Sequence, residues 1–232
     1  MFSLEQVGLS YGPGNPGILQ NISFTLPQGT FCWLLGPSGA GKTSLLRLMY
    51  LASLPTIGRL VVLGTDISGA KREHLVALRR RIGVVFQDFR LLPNITTFEN
   101  VALPLRIVGR DDAQIQSDVK EILRWVGLWR KADMLPPQLS GGEQQRVAIA
   151  RAVVAGPAVL LADEPTGNLD DGQAERLMIL LREMNRYGTT VVIATHNEAL
   201  AARHKGRILR LANGQLVGQH DFSVPVEFAA SV

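Results

Sequence analysis

Gly36, Pro37, Ser38, Gly39, Ala40, Gly41, Lys42 and Thr43 follow the apolar run Phe31 to Leu35 and lead into Ser44-Leu45-Leu46-Arg47-Leu48-Met49, which continues at helical spacing. Glycines let backbone N–H groups converge on a phosphate chain, and the helix behind them adds the positive end of its dipole. In such a loop Lys42 reaches the outer phosphates and Thr43 is a hydroxyl ligand for Mg2+. A second group closes the apolar run Val159 to Ala162 with Asp163 and Glu164. Carboxylates at the end of a buried strand lie where open parallel sheets bind ligands. Asp163 suits a magnesium shell, and alternation along an extended chain predicts that Glu164 points differently, able to act as general base on water. The heptad Leu139-Ser140-Gly141-Gly142-Glu143-Gln144-Gln145 opens a further helical segment.

The elements that must hold these groups are legible from periodicity. Phe2 to Val7 and Ile22 to Leu26 alternate like half-exposed strands, Pro27-Gln28-Gly29 is a turn, and Leu60 to Leu63 and Ile82 to Phe86 read as further strands. From about Asp88 to Val154 the texture becomes helical over Thr97 to Val108, Asp111 to Val126 and Gly142 to Val154. The middle segment sets Ile115, Val119, Ile122, Leu123 and Val126 on one face. Ala158 to Ala162 and Thr190 to Ala194 then return as continuous apolar strands around a helix at Gln173 to Arg186, a βαβ pattern that implies a buried parallel sheet. The expected organisation is one domain over residues 1–220 with a helical subdomain inserted at about 88–155, and a tail over 221–232 that has no clear period.

Composition bounds the rest. A chain of 232 residues with 46% hydrophobic content supports one substantial core and is short for two independent domains. Its apolar stretches break well before the roughly 20 residues that a bilayer-spanning helix needs. The amino terminus has no basic region and is interrupted by Glu5, unlike a signal peptide, so the chain is expected to stay in the cytoplasm. Cys32 is the only cysteine, which excludes an internal disulfide, and Trp33-Leu34-Leu35 after it suggest a buried strand position. A net charge of +4 is too modest to argue nucleic-acid binding. Arg79-Arg80-Arg81 follow a helix-like stretch from His74 to Leu78, where cations complement the helix dipole.

Taken in series, these motifs resemble the ATP-binding-cassette ATPases over nearly the whole chain, Phe2 to about Gln219. The family's fold is then implied: an α/β P-loop NTPase core of RecA-like parallel sheet, an N-terminal antiparallel β-subdomain and the inserted helical subdomain. So are further site residues. Tyr11 would stack on adenine, Gln87 would serve as the Q-loop glutamine near Mg2+, Asn168-Leu169-Asp170 would form the D-loop, and His196 would be the switch histidine beside Glu164. Ser140, Gly141, Gly142 and Glu143 would form the signature that reads ATP held by a partner subunit, so a homodimer is implied. Two positions depart from the common pattern: Lys42-Thr43-Ser44 in place of Lys-Ser-Thr, which exchanges one hydroxyl ligand for another, and Asn197 in place of Asp after the histidine.

Within the family, Leu161 to Asp170 is similar to the branch that drives mechanotransmission: lipoprotein release, macrolide export and cell division. Arg79 to Leu92, Gln144 to Val154 and Pro157 to Leu161 are most similar to its cell-division members, which implies the membrane subunit FtsX as partner and a peripheral place on the cytoplasmic face of the inner membrane. Phe89, Leu91, Leu92 and Phe98 either line a groove for that partner or fill the helical subdomain. Cassette proteins acting on DNA or ribosomes usually carry two cassettes or a long coiled-coil insertion, and neither is present.

Overall fold

Two sheets organise the chain in the computed structural model, which describes residues 1–12 and 17–220. The first is antiparallel, in the order β2 (Leu19–Leu26), β1 (Phe2–Leu9), β4 (Ile57–Val62), β5 (Thr65–Asp66). The second runs β10 (Gln215–His220), β9 (Arg207–Ala212), β3 (Phe31–Leu35), β8 (Thr190–Thr195), β7 (Val159–Asp163), β6 (Ile82–Val85). Its neighbours are parallel except for the β9–β10 hairpin at one edge. This is the α/β architecture that the sequence predicts.

Every residue of β3, β7 and β8 is buried, because helices cover both faces of the parallel sheet. Cys32 and Leu34 face one side with Leu161 and Val192, where α1 (Lys42–Met49) contributes Leu45, Leu46 and Met49. Trp33 and Leu35 face the other with Leu160 and Ile193, where α6 (Asp171–Arg186) contributes Leu177, Met178 and Leu181. Alternation along the strands splits the core between the layers, and each fully buried side chain contributes about 1.5–3 kcal/mol. Between β6 and β7 lie α3 (Thr97–Ile107), α4 (Asp112–Trp125) and α5 (Gly141–Val153). They share a third core that includes Val101, Leu105, Val119, Leu123 and Val147. α2 (Arg72–Arg79) precedes β6, and α7 (Glu198–Arg203) follows β8.

Several elements depart from simple periodicity. Strict alternation from Phe2 and Leu4 would drive Gln6 into the core. Instead the register shifts between Leu4 and Val7, Gln6 turns to φ 51 and is exposed, and Val7, Gly8 and Leu9 are buried. The β9–β10 hairpin has no counterpart in the sequence reading, although its turn, Asn213-Gly214 at φ 49 and 74, is a strong hairpin signal. Arg79 also does more than face a helix dipole: its guanidinium donates twice to the carbonyl of Leu51, at 3.2 and 2.7 Å, tying α2 to the end of α1. The aperiodic tail at 221–232 lies outside the described residues.

Candidate active site

Strand register assembles the site. Leu35 pairs with Thr195, Asp163 with Ala194 and Val85 with Ala162, so β3, β8, β7 and β6 end beside one another on one edge of the sheet. The segments that leave those ends carry Gly36 to Thr43, His196, Glu164 and Gln87. They meet in a cleft of about 380 Å³ whose lining includes Lys42, Thr43, Gln87, Asp163, Glu164 and His196. Ser38, Gly39, Gly41 and Ser44 line it as well, together with Ile18, which the sequence reading did not single out.

The glycine-rich loop depends on close backbone approach at its start. A Cβ on Gly36 would lie 2.2 Å from the carbonyl oxygen of Leu211, so no larger residue fits there. Gly41 stands at φ 102 before α1, and no side chain caps that helix, which leaves its first amides for water or an anion. Lys42 is buried. Its Nζ donates to the carbonyls of Gly36 at 2.7 Å and Pro37 at 3.1 Å, and it lies 3.8 Å from Glu164 Oε1. Thr43 Oγ1 donates to Asp163 Oδ2 at 2.7 Å. Burial pushes the Asp163 carboxyl above the usual aspartate value, opposed by that hydrogen bond, and the neighbouring Glu164 pushes the same way as burial.

Glu164 corrects one expectation. β7 stops at Asp163, and Glu164 adopts φ 46, so a left-handed turn and not strand alternation sets its direction. The turn is anchored by its amide, which donates to the carbonyl of Ala194 at 2.9 Å. Its carboxylate is then held from β8: Thr195 Oγ1 donates to Oε2 at 2.9 Å, the His196 amide donates to Oε1 at 3.1 Å, and His196 Nδ1 lies 2.8 Å from Oε1. An ionised carboxylate only accepts, so Nδ1 carries the proton and Nε2 is the nitrogen left to meet a ligand. Thr195 escaped the sequence reading because that reading ends the apolar strand at Ala194, whereas β8 runs on through Thr195. A hydroxyl residue directly before the histidine was the available signal, and in the structure it is buried.

Asn197 is the N-cap of α7, accepting from the Leu200 amide at 2.9 Å. Asparagine caps about as well as aspartate, so the departure from the common pattern keeps the structural role and drops only the charge.

The remaining residues lie elsewhere. Tyr11 is exposed, with Arg47 5.8 Å from its ring centroid. Ser140 is the N-cap of α5 in a reciprocal box: Glu143 N donates to Ser140 Oγ at 3.4 Å, and Ser140 N donates to Glu143 Oε2 at 3.0 Å. Lys131 Nζ reaches Glu143 Oε1 at 2.6 Å, and that hydrogen bond, followed by the Ser140 amide, holds the Glu143 carboxyl below its usual value. Asp170 caps α6, accepting from Gln173 N at 2.7 Å. Gly142 sits beside the carbonyl of Asn168, where an added Cβ would stand only 3.4 Å from the oxygen, so the heptad and the 168–170 segment adjoin each other and not the cleft of the same chain. Of the apolar residues considered for a partner groove, Leu91 and Phe98 pack against the helical core, whereas Leu92 is exposed.

The family described as ABC transporter matches residues 19–167. The chain belongs to that family, as an ATPase cassette. Among its relatives, it is 44% identical to the cell division ATP-binding protein FtsE of Bacillus subtilis, across 94% of this chain and 95% of that one. It is 47% identical to FtsE of Escherichia coli strain K12, across 94% and 98%. A solved relative at 35% identity is the ATP-binding cassette MJ0796, a dimer in a post-hydrolysis state bound to ADP and Pi, which superposes with a TM-score of 0.90 over 97% of this chain and 100% of that one.

Proposed function

We propose that this chain is the ATP-binding and ATP-hydrolysing subunit of a cell-division complex of the FtsE–FtsX type, in which ATP closes a homodimer and hydrolysis reopens it. The observation that supports this most is likeness to FtsE at 44–47% identity through 94% of the chain, in a molecule whose Lys42, Asp163, Glu164 and His196 share one cleft. The unit is a single cassette domain over 1–220 with the helical subdomain inserted at 88–155.

ATP would lie with its phosphates against Gly36 to Ser44 and its base near Tyr11. Lys42 then exchanges the carbonyls of its own loop for phosphate oxygens. The oxygen donors of Thr43, Asp163 and Gln87, which line one cleft, suit Mg2+ and would hold it. When bound, the ion neutralises charge on the transferring group. Glu164 accepts a proton from the attacking water, and Thr195 and His196 keep its carboxylate in place. For His196 Nε2 to donate to the γ-phosphate while Nδ1 donates to Glu164, the ring must be doubly protonated.

Ser140, Gly141, Gly142 and Asp170 sit outside the cleft, where a second copy could present them to its neighbour's ATP. Glu143 already occupies the Ser140 amide, so the groups available to that phosphate are the Ser140 hydroxyl and the first amides of α5. Glu143 acts by fixing that helix start. Hydrolysis removes the group that joins the subunits, and the opening is passed to FtsX, which anchors the pair at the cytoplasmic face of the inner membrane and controls cell-wall hydrolysis beyond it. Among the described residues no helix is long and apolar enough to cross a membrane, so a separate membrane subunit suits the reading.

Affinity purification of the tagged chain from membranes tests this, with the co-purifying subunit identified. FtsX is the expected partner. Recovery of a lipoprotein-release or macrolide-export permease in its place would contradict the assignment.

A further inference from the structure

The segment that carries Gln87 leaves its strand in an unfavourable conformation. Phe89 and Arg90 both occupy the left-handed region, at φ 57 and 48, which bulky residues seldom adopt and which persists only where the surroundings impose it. Part of that imposition is local: Phe89 N donates to Phe86 O at 3.1 Å, and Arg90 lies 4.3 Å over the Phe86 ring and pairs with Asp88 at 3.1 Å.

The rest comes from α5. Arg151 Nη2 donates to the Phe89 carbonyl at 2.7 Å and Nη1 to the Arg90 carbonyl at 2.6 Å, so one guanidinium grips both strained residues. Among the described residues no carboxylate pairs with Arg151; its hydrogen bonds go to these two carbonyls. The approach depends on a tight fit of α5 against β6: a Cβ on Gly83 would stand 2.3 Å from the carbonyl of Ala152. Arg151 lies eleven residues after Ser140, roughly 16 Å along one continuous helix.

We infer that Arg151 is a positioning residue for the reaction: it clamps the exit of the Gln87 segment to the helix that begins at Ser140, so that Gln87 moves with the signature. This rests on the function proposed above. A rod with Ser140 at one end and the clamp at the other passes any displacement of the helix start to Gln87 without an intervening joint. A planar fork is needed to hold two carbonyls at once, which a lysine ammonium at the same place does not reproduce.

Arg151→Lys in the full chain tests the clamp. Affinity for a fluorescent ATP analogue in EDTA should stay within about twofold of wild type, while kcat falls by about tenfold and the Mg2+ concentration for half-maximal rate rises. Hydrogen exchange of residues 86–92 should accelerate in the same variant. Adding Phe89→Gly and Arg90→Gly, which makes the left-handed conformation accessible without a clamp, should recover part of kcat. The inference is overturned if Arg151→Lys folds with unaltered exchange at 86–92, or if it loses activity with no change in magnesium dependence. If the variant does not fold, the wild-type chain decides: ATP should alter exchange at 86–92 and in the second half of α5 together, and a change in one without the other overturns the clamp. Wild-type chain that binds but never hydrolyses ATP would count against the proposed function, whereas the exchange measurements judge Arg151 separately.

Discussion

Thr195 is not among the residues that line the cleft, yet it holds one that is. Its hydroxyl fixes one oxygen of Glu164, while His196 fixes the other. Thr195→Val keeps the shape and the strand propensity but frees one carboxylate oxygen, so Glu164, in the role of general base proposed for it, would lose the alignment with which it meets water. Steady-state kinetics on that variant should show kcat reduced by about tenfold, ~1.4 kcal/mol of barrier, with KM for ATP nearly unchanged. A rise in KM with kcat intact would place Thr195 in binding. Residue types and spacing made Lys42, Asp163 and Glu164 legible, because a glycine-rich loop between strand and helix has few other uses, and an acidic pair at a strand end gains meaning from that loop in the same chain. The direction of Glu164 was not legible, since it depends on a left-handed turn that no local pattern announces.

At the scale of elements, α5 runs from its cap at Ser140 to Arg151, which holds the segment after Gln87. Its start is capped reciprocally by Ser140 and Glu143, and Lys131 fixes the glutamate from the preceding segment. The Glu143 carboxyl is held below its usual value, so the stability it contributes is fully present above the ordinary glutamate pKa of 4.5 and is lost as pH falls through the lower folded value. Urea unfolding of Glu143→Gln should show a deficit against wild type at pH 7 that closes as the pH drops below that range; an equal deficit at both ends would assign the loss to shape and not to charge. The continuous apolar strands β3, β7 and β8 and the stripe of α4 were legible because burial on both faces, or on one helical face, writes a simple period. The short elements were less so. β5 has two residues and α7 has six, too few for a period, and β1 carries a shift that breaks its own alternation. Arg151 was unreadable for a different reason: its partners are carbonyl oxygens some sixty residues away, and backbone groups leave no trace in residue types.

For the whole molecule, the parallel sheet gathers the phosphate loop, both carboxylates, Gln87 and His196 into one cleft, yet leaves Ser140 to Gly142 and Asp170 on another part of the surface. One chain therefore contains most of a phosphate site and, elsewhere, a capped helix start suited to an anion. Both are used if two copies face each other, each closing the other's cleft, and the nucleotide then becomes the joint. Sedimentation of Glu164→Gln in Mg-ATP tests this central claim most directly, because the change keeps the binding groups and removes the base. A stable dimer is expected that dissociates when ATP is replaced by ADP, with Lys42→Ala remaining monomeric under the same conditions. Glu164→Gln that binds ATP and stays a monomer would contradict the shared site.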